Sequence, residues 1–187
     1  MTGRPHYYKN EQERPKFGHL QIKFNNGYHF AFENKRKFGW WDLTNSISDY
    51  KAAHKLGTDA RTLAFEDFYA SVRSRKTDIK KVIMDQSVAA GVGNWMADEI
   101  LYQSKIHPKT RVEDMDSSEI QRVFDAMKLV IEVAIENEAH YEDFPKHFLM
   151  HFRKEGGRCH HTDVEIKKIK VGGRTTYYSS EWQDNLD

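Results

Sequence analysis

A single cysteine, Cys159, stands in the 187 residues of this chain. That scarcity excludes an internal disulfide and fits a reducing compartment. No apolar run approaches the length needed to cross a bilayer, and no secretory leader is visible, so a cytoplasmic location is expected, nucleoid-associated in a bacterium. Net charge is nearly absent as well. The 29 Lys and Arg against 28 Asp and Glu leave only +1, so attraction to a polyanion has to come from clustering rather than from the total. Neither an internal repeat nor a low-complexity tract interrupts the chain.

The clustering is present. Basic residues gather at Lys35-Arg36-Lys37, at Arg73, Arg75 and Lys76, at Lys80-Lys81, and at Lys167, Lys168, Lys170 and Arg174. Acidic residues fall mostly elsewhere, at Glu113, Asp114, Asp116 and Glu119, through Glu132–Asp143, and in the tail. One basic run alone is an ordinary solvated face; four runs set apart from the acidic segments are better explained by an anionic partner.

Residues 1–16 are polar, carry Pro5 and Pro15, and read as a loose arm. From Phe17 apolar and polar residues alternate as HLQIKF, then NNG, then YHFAF. Asn26-Gly27 between two alternating runs signals a hairpin. A third extended segment is expected at Arg36–Leu43, making a thin sheet. After Leu63 the period becomes helical, with helices expected over 65–74, 78–88 and from Asn94 to about Ser104, where His107-Pro108 follows. Asp116 and Glu119 form a capping-box pattern for a long helix. Its positions Ile120, Val123, Phe124, Met127, Val130, Ile131, Ala134 and Ile135 make a core-facing stripe. Gly172-Gly173, between two strand-like runs, predicts a second hairpin.

The segment DQSVAAGVGNWMADEILYQSKIHP, residues 85–108, carries the strongest functional signal. Gly91 and Gly93 allow close approach of main chain to a ligand, and Asn94 is a suitable N-cap for the helix behind it. A helix start offers open N–H groups and a positive dipole end to an anion. A lone GxGN is more often a tight turn between packed helices; the residues around this one favour the anion site.

Three collinear stretches carry a family resemblance. MDQSVAAGVGNWMADEILYQSKIHP resembles the helix–two-turn–helix segment of the formamidopyrimidine-DNA glycosylase/endonuclease VIII family. IKKIKVGGRTTYYSSEWQ is similar to that family's C-terminal finger hairpin, and ENKRKFGWW to the segment carrying its lesion-strand wedge. The opening MTGR also resembles a family motif. The resemblance implies an α+β protein in three parts. Residues 1–62 would be the C-terminal part of an N-terminal β-sandwich, 63–155 a helix–two-turn–helix DNA-binding domain, and 156–187 a finger-like hairpin and tail. It implies damaged double-stranded DNA as partner, held by a monomer through phosphate contacts from Lys80, Asn94 and Arg174. Met1, Arg36 and Phe38 match residues that enter the duplex and fill the gap left by an extruded base.

Two departures qualify what the resemblance implies. The family's catalytic amine, an N-terminal proline with a glutamate beside it, and a lysine on an early hairpin precede the MTGR-like motif. No catalytic residue is therefore assigned here, and the chain is expected to hold DNA without cutting it unless further sequence lies upstream. In the finger, the family's four zinc-binding cysteines align with Cys159, Thr162, Ser179 and Trp182, so neither zinc nor another cofactor is expected. The expected function is the DNA-binding part of a base-excision glycosylase and AP lyase for oxidised bases. The alternative is a non-catalytic module for damaged or bent DNA.

Overall fold

The computed structural model describes residues 3–37 and 41–183. The chain divides between Ile47 and Ser48 into two compact units.

The first unit is a three-stranded antiparallel sheet built from β1 (Gly3–Tyr8), β2 (Gly18–Lys23) and β3 (His29–Asn34), with β3 in the centre. The hairpin expected at Asn26-Gly27 joins β2 to β3; Gly27 takes φ of +82°, and Phe24 and Tyr28 close the turn through a main-chain bond of 2.8 Å. Among the described residues the third strand is β1, inside the segment read as a loose arm; of the expected segment 36–43, residues 38–40 lie outside the described residues and the others are in no strand. An edge strand needs few apolar residues and tolerates proline, so Pro5 and the polar run around it hid a strand that pairs on one side only. Residues 35–37 instead form a turn, with the amide of Lys37 bonded to Asn34 O at 3.3 Å. Only Tyr8 and Ala31 are buried apolar residues among the described part of this unit, whereas Tyr7 is 59% exposed and Ile22 43%. The exposed rings partly cover one another, Tyr7 stacking on Tyr28 at 4.8 Å.

The second unit begins at the short helix α1 (Ile47–Ala53) and is organised by α2 (Phe65–Arg73), α3 (Ile79–Ile83), α4 (Asn94–Ser104) and α5 (Ser117–Glu136). Its core joins Phe68 and Val72 of α2, Ile79, Val82 and Ile83 of α3, Ile100 and Leu101 of α4, and Ile120, Val123, Met127 and Val130 of α5. The capping box forms as expected: Asp116 Oδ1 accepts from the Glu119 amide at 2.8 Å, and Glu119 Oε2 accepts from the Asp116 amide at 2.7 Å. The α5 stripe faces this core except at its end, where Ile135 is 53% exposed.

The helix expected over 78–88 stops at Ile83. Asp85 explains the early stop, because its side chain accepts from both the amide and the hydroxyl of Ser87, at 2.9 and 2.7 Å. Such a local bond competes with continuing helix. The C-terminal hairpin pairs β4 (Lys167–Val171) with β5 (Arg174–Tyr178) around Gly172 and Gly173, both at positive φ. Beneath it lies a small second core of Tyr102, Leu149, Cys159 and Ile166, flanked by Phe152, Tyr177 and Trp182. Tyr178 packs instead edge-on to His107, at 4.6 Å.

Candidate nucleic-acid interface

The turn from Ala89 to Asn94 is held from behind by two devices. Gln86 folds under it: the side-chain amide donates to Val92 O at 3.0 Å and Met84 O at 3.2 Å, while its Oε1 accepts from the Gly91 amide at 2.9 Å. An extended strip at 57–60 then runs alongside. Gly57 N donates to Gln86 O, Ala90 N to Thr58 O, and Ala60 N to Ala90 O, at 2.8, 3.0 and 2.9 Å. The turn's apolar residues, Val88, Ala89 and Val92, are anchored in the core. Gly91 takes φ of +103°, a conformation that strongly favours glycine. At both Gly91 and Gly93 a Cβ would meet no protein atom within 4 Å, so the outer surface of the turn is open to a ligand.

The capping role expected of Asn94 falls to Gly93. Gly93 has the extended N-cap conformation and its carbonyl accepts from the Ala97 amide at 2.9 Å, while Asn94 is the first residue of α4. No side chain caps this helix, so its leading amides keep the anion-facing geometry of an open helix start. The Asn94 side chain reaches across to the hairpin, Nδ2 donating to Thr175 O at 2.9 Å. Its Oδ1 is buried without a hydrogen-bond partner.

Lys80, expected at the surface, lies inside. The residue is 0% exposed, and its Nζ donates to Asp98 Oδ1 at 2.6 Å, to Thr176 Oγ1 at 2.6 Å and to Thr175 O at 3.4 Å. An ammonium has three donors, and all three are engaged. Asp98, also 0% exposed, accepts on Oδ2 from Arg153 Nε at 2.8 Å and from the Tyr177 amide at 3.3 Å, with Arg153 Nη2 also at 2.8 Å. Burial pushes the Lys80 ammonium down and the Asp98 carboxyl up from their ordinary values; the opposite charge beside each works against that shift.

The structure therefore brings Lys80, Asn94 and Arg174 into one neighbourhood. Arg174 is exposed at the start of β5, next to the Thr175 carbonyl that Asn94 and Lys80 share. Arg36 lies on the exposed turn after β3 in the other unit. Met1 and Phe38 lie outside the described residues. Several members of the basic clusters are ion-paired: Arg75 with Asp85 at 3.1 Å, Lys81 with Asp78 at 2.8 Å, and Lys168 with Glu155 at 2.6 Å. Gln86, Asp98, Arg153 and Thr176 belong to the site but carried no signal in the sequence beyond lying in or near the matching segments.

The four aligned finger positions also meet. Burial alone would push the Cys159 thiol up, but hydrogen bonds involving Thr162, Tyr102 and Ser179 bring it below its usual value. The Tyr102 hydroxyl lies 3.1 Å from Sγ, and the Trp182 amide donates to Ser179 Oγ at 3.3 Å. Structural zinc sites are built from thiolates, imidazoles and carboxylates. One thiol with two hydroxyls and an indole does not fit that donor set. Among the described residues no group of three His, Cys, Asp or Glu is arranged to hold a metal ion, and no helix is long and apolar enough to cross a membrane.

An open helix start behind a glycine turn is joined through Asn94 to a basic hairpin, and comparison with known proteins makes the class specific. The model of the formamidopyrimidine-DNA glycosylase H2TH domain matches residues 56–144. A formamidopyrimidine-DNA glycosylase of Desulforamulus reducens is 32% identical over 197 residues, covering 98% of this chain and 71% of the relative. One of Arabidopsis thaliana is 32% identical over 179 residues, 94% of this chain, but the chain spans only 46% of that longer relative. Among solved structures, the Lactococcus lactis enzyme in complex with DNA containing FAPY-dG superposes with a TM-score of 0.85 at 26% identity, covering 99% of this chain and 72% of the other. The same enzyme bound to DNA with an abasic site gives 0.83. The chain belongs to the formamidopyrimidine-DNA glycosylase family.

Proposed function

We propose that this chain is the DNA-gripping part of a base-excision glycosylase and AP lyase for oxidised bases, and that it clasps damaged duplex through its phosphates. The observation that carries the reading is the 2.9 Å bond from Asn94 to Thr175 O. It ties the open start of α4 to the hairpin that presents Arg174, so two anion-seeking elements of distant sequence face one ligand. Phosphate contacts of this kind fix register and orientation on DNA. In this reading the sheet of the first unit is the C-terminal part of a β-sandwich, and Met1, Arg36 and Phe38 fill the gap left by the extruded base. The C-terminal hairpin is a finger held by packing and hydrogen bonds in place of zinc. Lys80 belongs to the grip from the inside, since its ammonium is already saturated.

The second reading is a binder of damaged or bent DNA without chemistry, which would make the same phosphate contacts and form no covalent bond to the sugar. Fluorescence anisotropy with an abasic-site duplex tests the grip. Asn94→Ala and Arg174→Ala should each weaken binding about tenfold, and Arg174→Ala should lower the salt slope by about one. Unchanged affinity in both variants would overturn the phosphate assignment. Borohydride treatment of the same complex separates the two readings, because only a lyase leaves a trapped covalent adduct.

A further inference from the structure

Asp98 joins four segments of the chain. One oxygen takes the ammonium of Lys80 from α3; the other takes Arg153, which follows α5, and the main chain of Tyr177 on β5; Asp98 itself sits on α4. From Lys80 the bonds continue into the hairpin. Thr176 Oγ1 accepts from Lys80 at 2.6 Å and donates to the carbonyl of Arg174 at 3.2 Å. Thr175 O accepts from Lys80 and from Asn94 together. The groups at the two ends of this path, Arg174 and Asn94, are partly or fully open, while Lys80, Asp98 and Thr176 are 0% exposed.

Resting on the phosphate contacts proposed for Asn94 and Arg174, we infer that Lys80, Asp98 and Thr176 are positioning residues. They touch no DNA and instead fix the start of β5 against α4, so that Arg174 and Asn94 meet the same stretch of backbone. A buried ion pair can also serve packing alone, and the hydroxyl between Lys80 and the Arg174 carbonyl distinguishes the two roles. Thr176→Val preserves the shape and removes only that bridge; Thr176→Ser restores it.

The experiment is a double-mutant cycle on binding to an abasic-site duplex, using the full chain, with near-ultraviolet circular dichroism to follow the folded hairpin. Thr176→Val should weaken binding about fivefold, and Thr176→Ser should bind within twofold of the parent. In the Arg174→Ala background Thr176→Val should add no further loss, because the residue it positions is gone. Lys80→Met gives a second route that leaves Asp98 paired with Arg153. In the Arg174→Ala background it should leave the salt slope unchanged, whereas a direct phosphate contact would lower the slope by about one. The inference is overturned if Thr176→Val binds like the parent while Arg174→Ala is weak, if the two losses multiply, or if Lys80→Met lowers that slope. Parent-like binding by both Asn94→Ala and Arg174→Ala would remove the phosphate reading itself, and the inference with it.

Discussion

Glu99, next to Asp98 on α4, is 0% exposed. Its carboxylate accepts from the amides of Leu149 and Met150 at 3.0 and 2.9 Å and from Gln103 at 2.8 Å. Burial dominates those bonds and raises the carboxyl from 4.5 to about 7. The folded state therefore binds more protons than the unfolded chain between these values. Stability from this group is greatest below about pH 4.5 and falls as pH rises towards 7, by an amount on the order of 3 kcal/mol. Glu99→Gln should flatten the pH dependence of denaturant midpoints across that window. It should also cost about 1–3 kcal/mol, because an amide cannot accept from both main-chain groups and Gln103 as the carboxylate does. An unchanged slope in the variant would contradict the assignment. At this scale the residues proposed to face a ligand, Asn94 and Arg174, stand out by motif position. Gln86, Asp98 and Thr176 do not, because only the fold reveals which polar side chains turn inward and what they meet there.

At the scale of elements, turn chemistry and helical period were the readable signals. Asn26-Gly27, Gly172-Gly173 and the capping box at Asp116 all formed as the residues dictated. The misreadings occurred where a longer-range partner decides. The edge strand β1 is specified by pairing with β3, and the start of α4 shifted by one residue because Asn94 bonds across to β5 instead of capping its own helix. The strip at 57–60 was missed for the same reason. It has no apolar period and exists only as a backbone partner of the turn. Gly57 lies so close to Ser87 that a Cβ would collide with the Ser87 carbonyl. Gly57→Ala should push the 86–90 segment outward, lowering the thermal midpoint by several degrees and weakening DNA binding more than Gly18→Ala, which lies in the other unit and would make only ordinary van der Waals contacts. Equal effects from the two substitutions would show that the strip does not support the turn.

At the scale of the molecule, the two units differ in how much they hold. Among the described residues the first buries only Tyr8 and Ala31 as apolar side chains, while the second carries almost the whole core. Local opening follows buried contact, so limited proteolysis should cut first within residues 3–47 and leave a protected fragment beginning near Ser48. Earlier cleavage within α4 or α5 would contradict that ordering.

The cluster around Asp98 has an electrical consequence of its own. Lys80 and Arg153 share one carboxylate, which leaves an excess positive charge behind the face proposed to meet phosphate. Counterions condensed on DNA are released when protein cations neutralise its phosphates, and this cluster offers its charge with little surface of its own, the Lys80 and Arg153 side chains being 1% and 17% exposed. In the proposed grip this excess draws the backbone towards α4 and β5 from behind the groups that touch it.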